Sequence, residues 1–160
     1  MKKLQLFSFL FFIISPMNAQ NPEQPIITGE FTDSVMQSAW FSDWQKLHGE
    51  TFIEETSLRE IQPMILKDIS VVVFLGTWCE DSQVHVPTLL NCLKGTEVPI
   101  KIIGVNREKE CPFKPKECKS WDIEFVPTIK IFKSNAEIGR IVESPTQSLE
   151  KDLLEILKKN

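Results

Sequence analysis

The chain has 160 residues, 42% of them hydrophobic and 25% charged, with a formal net charge of −4. That describes one domain with enough apolar mass to build a core without disulfide staples. The mild acidity argues against nucleic acid, because phosphate binding needs clustered Lys and Arg and the one basic run, Lys114-Pro115-Lys116, is diluted by Glu117.

Residues 1–19 read as a secretory signal peptide. Lys2 and Lys3 form a basic start, Leu4 to Ile14 is an apolar run, and Ser15 to Ala19 resembles a cleavage region. The run is too short for a bilayer, which needs about 20 apolar residues, so the expectation is export to the periplasm or outside, with no stable membrane insertion after removal. No cysteine follows the run, which argues against lipid attachment. Cleavage removes Lys2 and Lys3 and no acid, so −4 becomes −6.

Residues 20–54 form an N-terminal extension. Residues 20–32 are polar and contain Pro22 and Pro25, with a short edge strand expected at Ile26-Ile27. Asp33 or Ser34 caps a helix expected over 34–47, whose Met36, Trp40, Trp44 and Leu47 recur at steps of three and four. That stripe reads as a packing face rather than a ligand platform. A short strand is expected at 51–54.

The region 55–160 begins with a helix from Glu55 to Leu66, limited by Pro63. Ser70 to Leu75 is almost wholly Val, Phe and Leu, which fits a central strand buried on both faces. A helix follows from Glu80 to Leu93, then a second buried strand from Pro99 to Val105. Residues 107–118 are polar, with a short helix expected in their second half. Thr128 to Phe132 and Glu137 to Val142 read as a hairpin around Ser134-Asn135. Ser144-Pro145-Thr146-Gln147 has the form of a capping box opening a last helix, with Leu149, Leu153, Ile156 and Leu157 on one face. Strand, helix, strand, helix, hairpin, helix specifies a mixed sheet with helices on both faces.

Chemistry concentrates at Trp78-Cys79-Glu80-Asp81-Ser82. Cys79 stands where a strand ends and a helix begins, and the unpaired N–H groups there favour a thiolate. Glu80 and Asp81 oppose this with negative charge, while Ser82 has a hydroxyl one turn on to offer the sulfur. No CxxC occurs and the histidines are His48 and His85 alone, so neither zinc nor a Cys–His pair is indicated. No metal and no organic cofactor is expected.

Several features together resemble the thioredoxin superfamily over roughly residues 55–158: Trp78-Cys79 after the central strand, Pro87 nine residues beyond Trp78, Val126-Pro127-Thr128, and Thr128 to Lys133 followed by Gly139-Arg140. The pattern is also similar to exported bacterial thioredoxin-like proteins with a WCxxS site. The resemblance implies a three-layer α/β/α sandwich with a mixed central sheet, carrying the N-terminal helical extension. It implies a cis proline at Pro127 facing Cys79, with Trp78, Val126, Pro127 and Thr128 forming the substrate surface. Two departures matter. Ser82 replaces the resolving cysteine, and Val73 stands where the family often has a buried acid. A monothiol cannot clear its own mixed disulfide, so an external thiol must.

Cys92 lies thirteen positions along the same helix, about 20 Å away, and reads as core. Cys111 and Cys118 follow a strand expected to run parallel to 70–75, so their loop starts near Cys79. Cys111 as a resolving thiol, a Cys111–Cys118 bridge and two free thiols all stay open. The leading expectation is an exported monothiol thiol–disulfide oxidoreductase. Its partners would be cysteine-containing proteins or low-molecular-weight thiols together with an external reductant. The alternative is a redox-inactive module that binds peptides or cysteine-containing partners in the same groove.

Overall fold

A computed structural model describes residues 25–48, 53–65, 68–108 and 121–159. The signal-peptide segment 1–19, residues 51–52 of the expected short strand, Cys111, Cys118 and the short helix expected near them lie outside the described residues. Ile53 and Glu54 are described and are not strand.

The organising element is β2, Ile69–Leu75. It pairs in parallel with β3, Ile100–Gly104, with Val73 opposite Ile102. On its other side it pairs antiparallel with β4, Thr128–Lys133, with Val73 opposite Ile129. β5, Ala136–Val142, closes one edge, and β1, Gly29–Glu30, closes the other, antiparallel to β3. The order is β1-β3-β2-β4-β5. Val, Ile and Phe on both faces suit a strand with neighbours on every side. The β4–β5 turn has Ser134 at φ 50° and Asn135 at φ 67°, the left-handed pair that a two-residue hairpin needs.

Pleating divides the sheet between two clusters. Val71, Val73, Leu75, Ile129 and Ile131 point to the larger one. There they meet α2 (Ala39–His48), α3 (Glu55–Met64), α4 (Glu80–Cys92) and α5 (Leu149–Lys158), which supply Phe41 and Trp44, Ile61, Val86 and Leu89, and Leu153 and Leu157. Val72 and Phe74 point the other way, to Val105 and Val126, with Trp78, Cys79, Trp121 and Ile123 packed beside them. Cys79 thus belongs to the smaller cluster, while its own helix covers the opposite face.

Three boundaries differ from the sequence reading. The edge strand is Gly29–Glu30 rather than Ile26-Ile27, because the Ile27 N–H is taken by the Thr77 hydroxyl oxygen instead of a ladder partner. The helix expected over 34–47 is two helices, α1 (Asp33–Met36) and α2. At the break, Ser38 donates its hydroxyl to the Val35 carbonyl at 2.7 Å while its own carbonyl accepts the Ser42 N–H. The break turns the buried face: Phe41 and Trp44 are sealed in, and Leu47, expected on the packing stripe, is 73% exposed. The last helix starts at Leu149, not at Ser144. The Asp152 carboxylate accepts the Thr146 and Gln147 N–H groups at 2.5 and 3.2 Å, which holds 146–147 outside the helix as a lead-in.

Candidate active site

Cys79 is the cap residue of α4, with extended backbone angles (φ −97°, ψ 120°) before the first helical turn. Its N–H donates to the Gly76 carbonyl at 3.0 Å and its carbonyl accepts the Gln83 N–H at 3.1 Å. The half-buried sulfur therefore stands at the positive end of a 13-residue helix, whose first N–H groups have no partner within the helix. Glu80 and Asp81 occupy that same first turn.

The Val126–Pro127 peptide is cis. The Cys79 thiol donates to the Val126 carbonyl across 3.1 Å. The neighbouring carbonyls are also engaged: Phe125 O accepts the Thr128 hydroxyl at 2.7 Å and Pro127 O accepts the Glu143 N–H at 2.8 Å. The structure thus brings Cys79 and Val126-Pro127 together. Thr128 is 1% exposed and its hydroxyl is spent within the loop, so it supports that loop rather than presenting a side chain.

Ser82 is fully buried, and its oxygen accepts the Gly76 N–H at 3.3 Å. Among the described residues no hydrogen bond joins it to Cys79. Its visible work is to tie down the turn that delivers the cysteine. Val73 is fully buried among apolar side chains of the larger cluster, an environment that would penalise a carboxylate there.

Trp78 is half-buried with its indole against Gly76, where a Cβ would lie 2.7 Å from Cε2. The guanidinium of Arg107, from the loop after β3, sits 5.1 Å from the centre of the ring, and Arg107 itself is exposed. Phe125, beside the cis peptide, is 44% exposed. Sequence reasoning missed Arg107, Phe125, Gly76 and Thr77. Only Thr77 carried a signal, as a polar residue between a buried strand and the Trp-Cys pair.

Cys92 is buried at the far end of α4, and burial, reinforced by the negative charge of Glu150, pushes its thiol up to about 12. That makes it core and not a redox partner. His85 is half-buried on α4; burial pushes its pKa down, with Asp81 pulling the other way. Two surface hollows, one along α5 around Lys151 and Lys158 and one beside Gly95 to Pro99, include none of the residues around Cys79. Among the described residues no group of three His, Cys, Asp or Glu could hold a metal ion.

The thioredoxin family model matches residues 53–156. No curated protein matches the chain. A crystal structure of a Pseudomonas aeruginosa protein of unknown function is similar over 82% of this chain and 91% of its own, with a TM-score of 0.56 and 15% identity. At that identity the likeness concerns the fold alone.

Proposed function

The chain belongs to the thioredoxin family, and from that premise we propose that it is an exported thiol–disulfide oxidoreductase of monothiol type, acting by mixed-disulfide exchange or isomerisation at Cys79. The observation that carries this reading is the sulfur itself. It is half-buried at the start of a long helix, 3.1 Å from the carbonyl before a cis proline, with a serine where a second thiol would stand.

In the proposed reaction the Cys79 thiolate attacks one sulfur of a substrate disulfide. A Cys79–substrate S–S bond forms, the substrate S–S bond breaks, and the second substrate sulfur leaves as a thiolate that takes a proton from water. Ser82 cannot repeat that attack from inside the protein. A second thiol, from the substrate or from an external low-molecular-weight thiol, attacks the mixed disulfide and returns Cys79. Re-attack by a substrate thiol gives isomerisation, and attack by an external thiol gives exchange. The cis loop and Trp78 are the surface along which the substrate lies.

A second reading has its own observation. The thiol is engaged with the Val126 carbonyl, and Glu80 and Asp81 place negative charge on the same helix start. Both suit a redox-inactive module that only binds peptides or cysteine-containing partners. Incubating the full chain with oxidised glutathione and mapping adducts by mass separates the two. The oxidoreductase gives a Cys79 mixed disulfide that persists until an external thiol is added. No adduct at Cys79, together with slow alkylation across the neutral pH range, would overturn the enzyme reading in favour of the binding module.

A further inference from the structure

The N-terminal strap reaches the turn that carries the sulfur. Residues 25–31 run from the turn after β2, where Pro25 meets Thr77, to the sheet edge, where Gly29 and Glu30 pair with the end of β3. The Thr77 hydroxyl, on a fully buried residue, donates to the Pro25 carbonyl at 2.7 Å, and its oxygen accepts the Ile27 N–H at 3.3 Å. Farther along, Phe31 N–H donates to the Ile102 carbonyl at 2.8 Å, and Gly29, with a left-handed φ of 95°, lies between the two attachments as the first residue of β1. The strap lies so close to β3 that a Cβ on Gly104 would stand 2.3 Å from the Ile27 carbonyl oxygen and 2.8 Å from the Phe31 ring.

Thr77 is also fastened on the active-site side. Its carbonyl accepts the Gln83 side-chain amide at 3.3 Å. Its neighbour Gly76 is held by Ser82 through the N–H and by Cys79 N–H through the carbonyl. One hydroxyl therefore links the strap to the four-residue turn 76–79. A hydroxyl that both donates and accepts cannot be exchanged for an apolar group without losing both bonds to the strap.

We propose that Thr77 is a positioning residue, through which the strap fixes the turn and so the register of Cys79 Sγ against the Val126 carbonyl. This rests on the reading that Cys79 attacks disulfides bound along the cis loop. Attack on a bound disulfide requires the sulfur in line with it, and small displacements of a reacting atom cost large factors in rate. Alkylation by a small reagent from solvent requires no such register. Loosening the turn lowers the first rate. It raises the second, because the thiol is freed from the carbonyl.

The test uses the full chain and follows Cys79 by mass mapping in two reactions: attack on a short extended peptide bearing a thionitrobenzoate mixed disulfide, and alkylation by iodoacetamide. In Thr77→Val the ratio of the first rate to the second is expected to fall about tenfold, and Thr77→Ser is expected to restore it. Gly104→Ala lifts the strap without touching the turn and is expected to lower the ratio like Thr77→Val, with the double variant no worse than either single one. A ratio within about twofold of the parent in both Thr77→Val and Gly104→Ala would overturn the proposal, whatever happens to their melting temperatures. A parent chain that attacks no disulfide sinks the catalytic reading alone. The strap then still requires Cys79 to alkylate about threefold faster in Thr77→Val, and equal rates would overturn it.

Discussion

Ser82→Ala separates two roles for the residue that stands in place of a resolving thiol. In the structure its oxygen is the acceptor for the Gly76 N–H, at 3.3 Å in a fully buried position. Alanine fits the site, so the cost is not steric. It is the desolvated Gly76 N–H left without a partner, which falls in the range of about 1–3 kcal/mol. The bond is long for an N–H to hydroxyl contact, which places the value near the low end, about 1–1.5 kcal/mol. For a chain of this size that lowers the melting temperature by about 2–6 °C. Urea unfolding gives the free energy and iodoacetamide mapping gives the Cys79 rate, which is expected to rise no more than about threefold, the effect of a loosened turn, because no hydrogen bond joins Ser82 to the sulfur. A loss under about 0.5 kcal/mol combined with a rate change above about tenfold would refute the reasoning. It would mean that the hydroxyl acts on the thiolate and that the Gly76 N–H finds another partner.

Cys92, pushed up to about 12 by burial and Glu150, should resist iodoacetamide in the native state and react once the chain is unfolded in urea. Its raised value also means that its contribution to stability is intact below its ordinary value of 9.0 and is lost as pH rises from there toward about 12. Lys130, 2% exposed, donates to the Trp121 carbonyl, lies 5.5 Å over the Trp121 ring and pairs with Glu137 at 3.3 Å. Truncation by Lys130→Ala should cost about 2–4 kcal/mol in urea unfolding, and Lys130→Met, which keeps most of the volume, clearly less; equal costs would show that packing is irrelevant there. For Glu137, burial pushes the carboxyl up, but hydrogen bonds from Arg140 and Lys130 outweigh it and hold it below its ordinary 4.5. The stabilisation from this depressed value is present above pH 4.5 and disappears as pH falls through the lower folded value, so Glu137→Gln should flatten the acid limb of a melting-temperature curve and leave its neutral slope unchanged.

The architecture was legible wherever a local rule and the tertiary environment agree. Val71 to Leu75 has no polar residue to assign to a solvent face, and it is buried on both sides. Ser134-Asn135 supplies the left-handed pair that a tight hairpin needs. A polar Glu-Asp-Ser run after Trp-Cys marks the helix start, and the helix begins at Glu80. Legibility failed where one side chain decides between local alternatives. Ser38 breaks a helix that periodicity would have carried through, and Asp152 keeps Thr146 and Gln147 out of a helix that a capping-box pattern would have started early. Lys130 sits in a strand where a lysine reads as solvent-facing. Trp121, nine residues away in sequence, covers it.

At the site the division falls in the same way. Residue identities alone determined that one cysteine stands at a strand-to-helix junction, that serine occupies the place of its partner, and that a Val-Pro pair follows far down the chain. These are facts of order and spacing, which need no tertiary contact. Only the tertiary structure decided what each group touches. It placed the sulfur on the Val126 carbonyl, turned the Ser82 oxygen to Gly76, and brought Pro25 and Ile27 onto Thr77 across some fifty positions of chain. The physical reason is that a hydrogen bond depends on where a donor meets an acceptor in space. For residues so far apart, that meeting is set by the packing of the whole sheet and not by either local sequence.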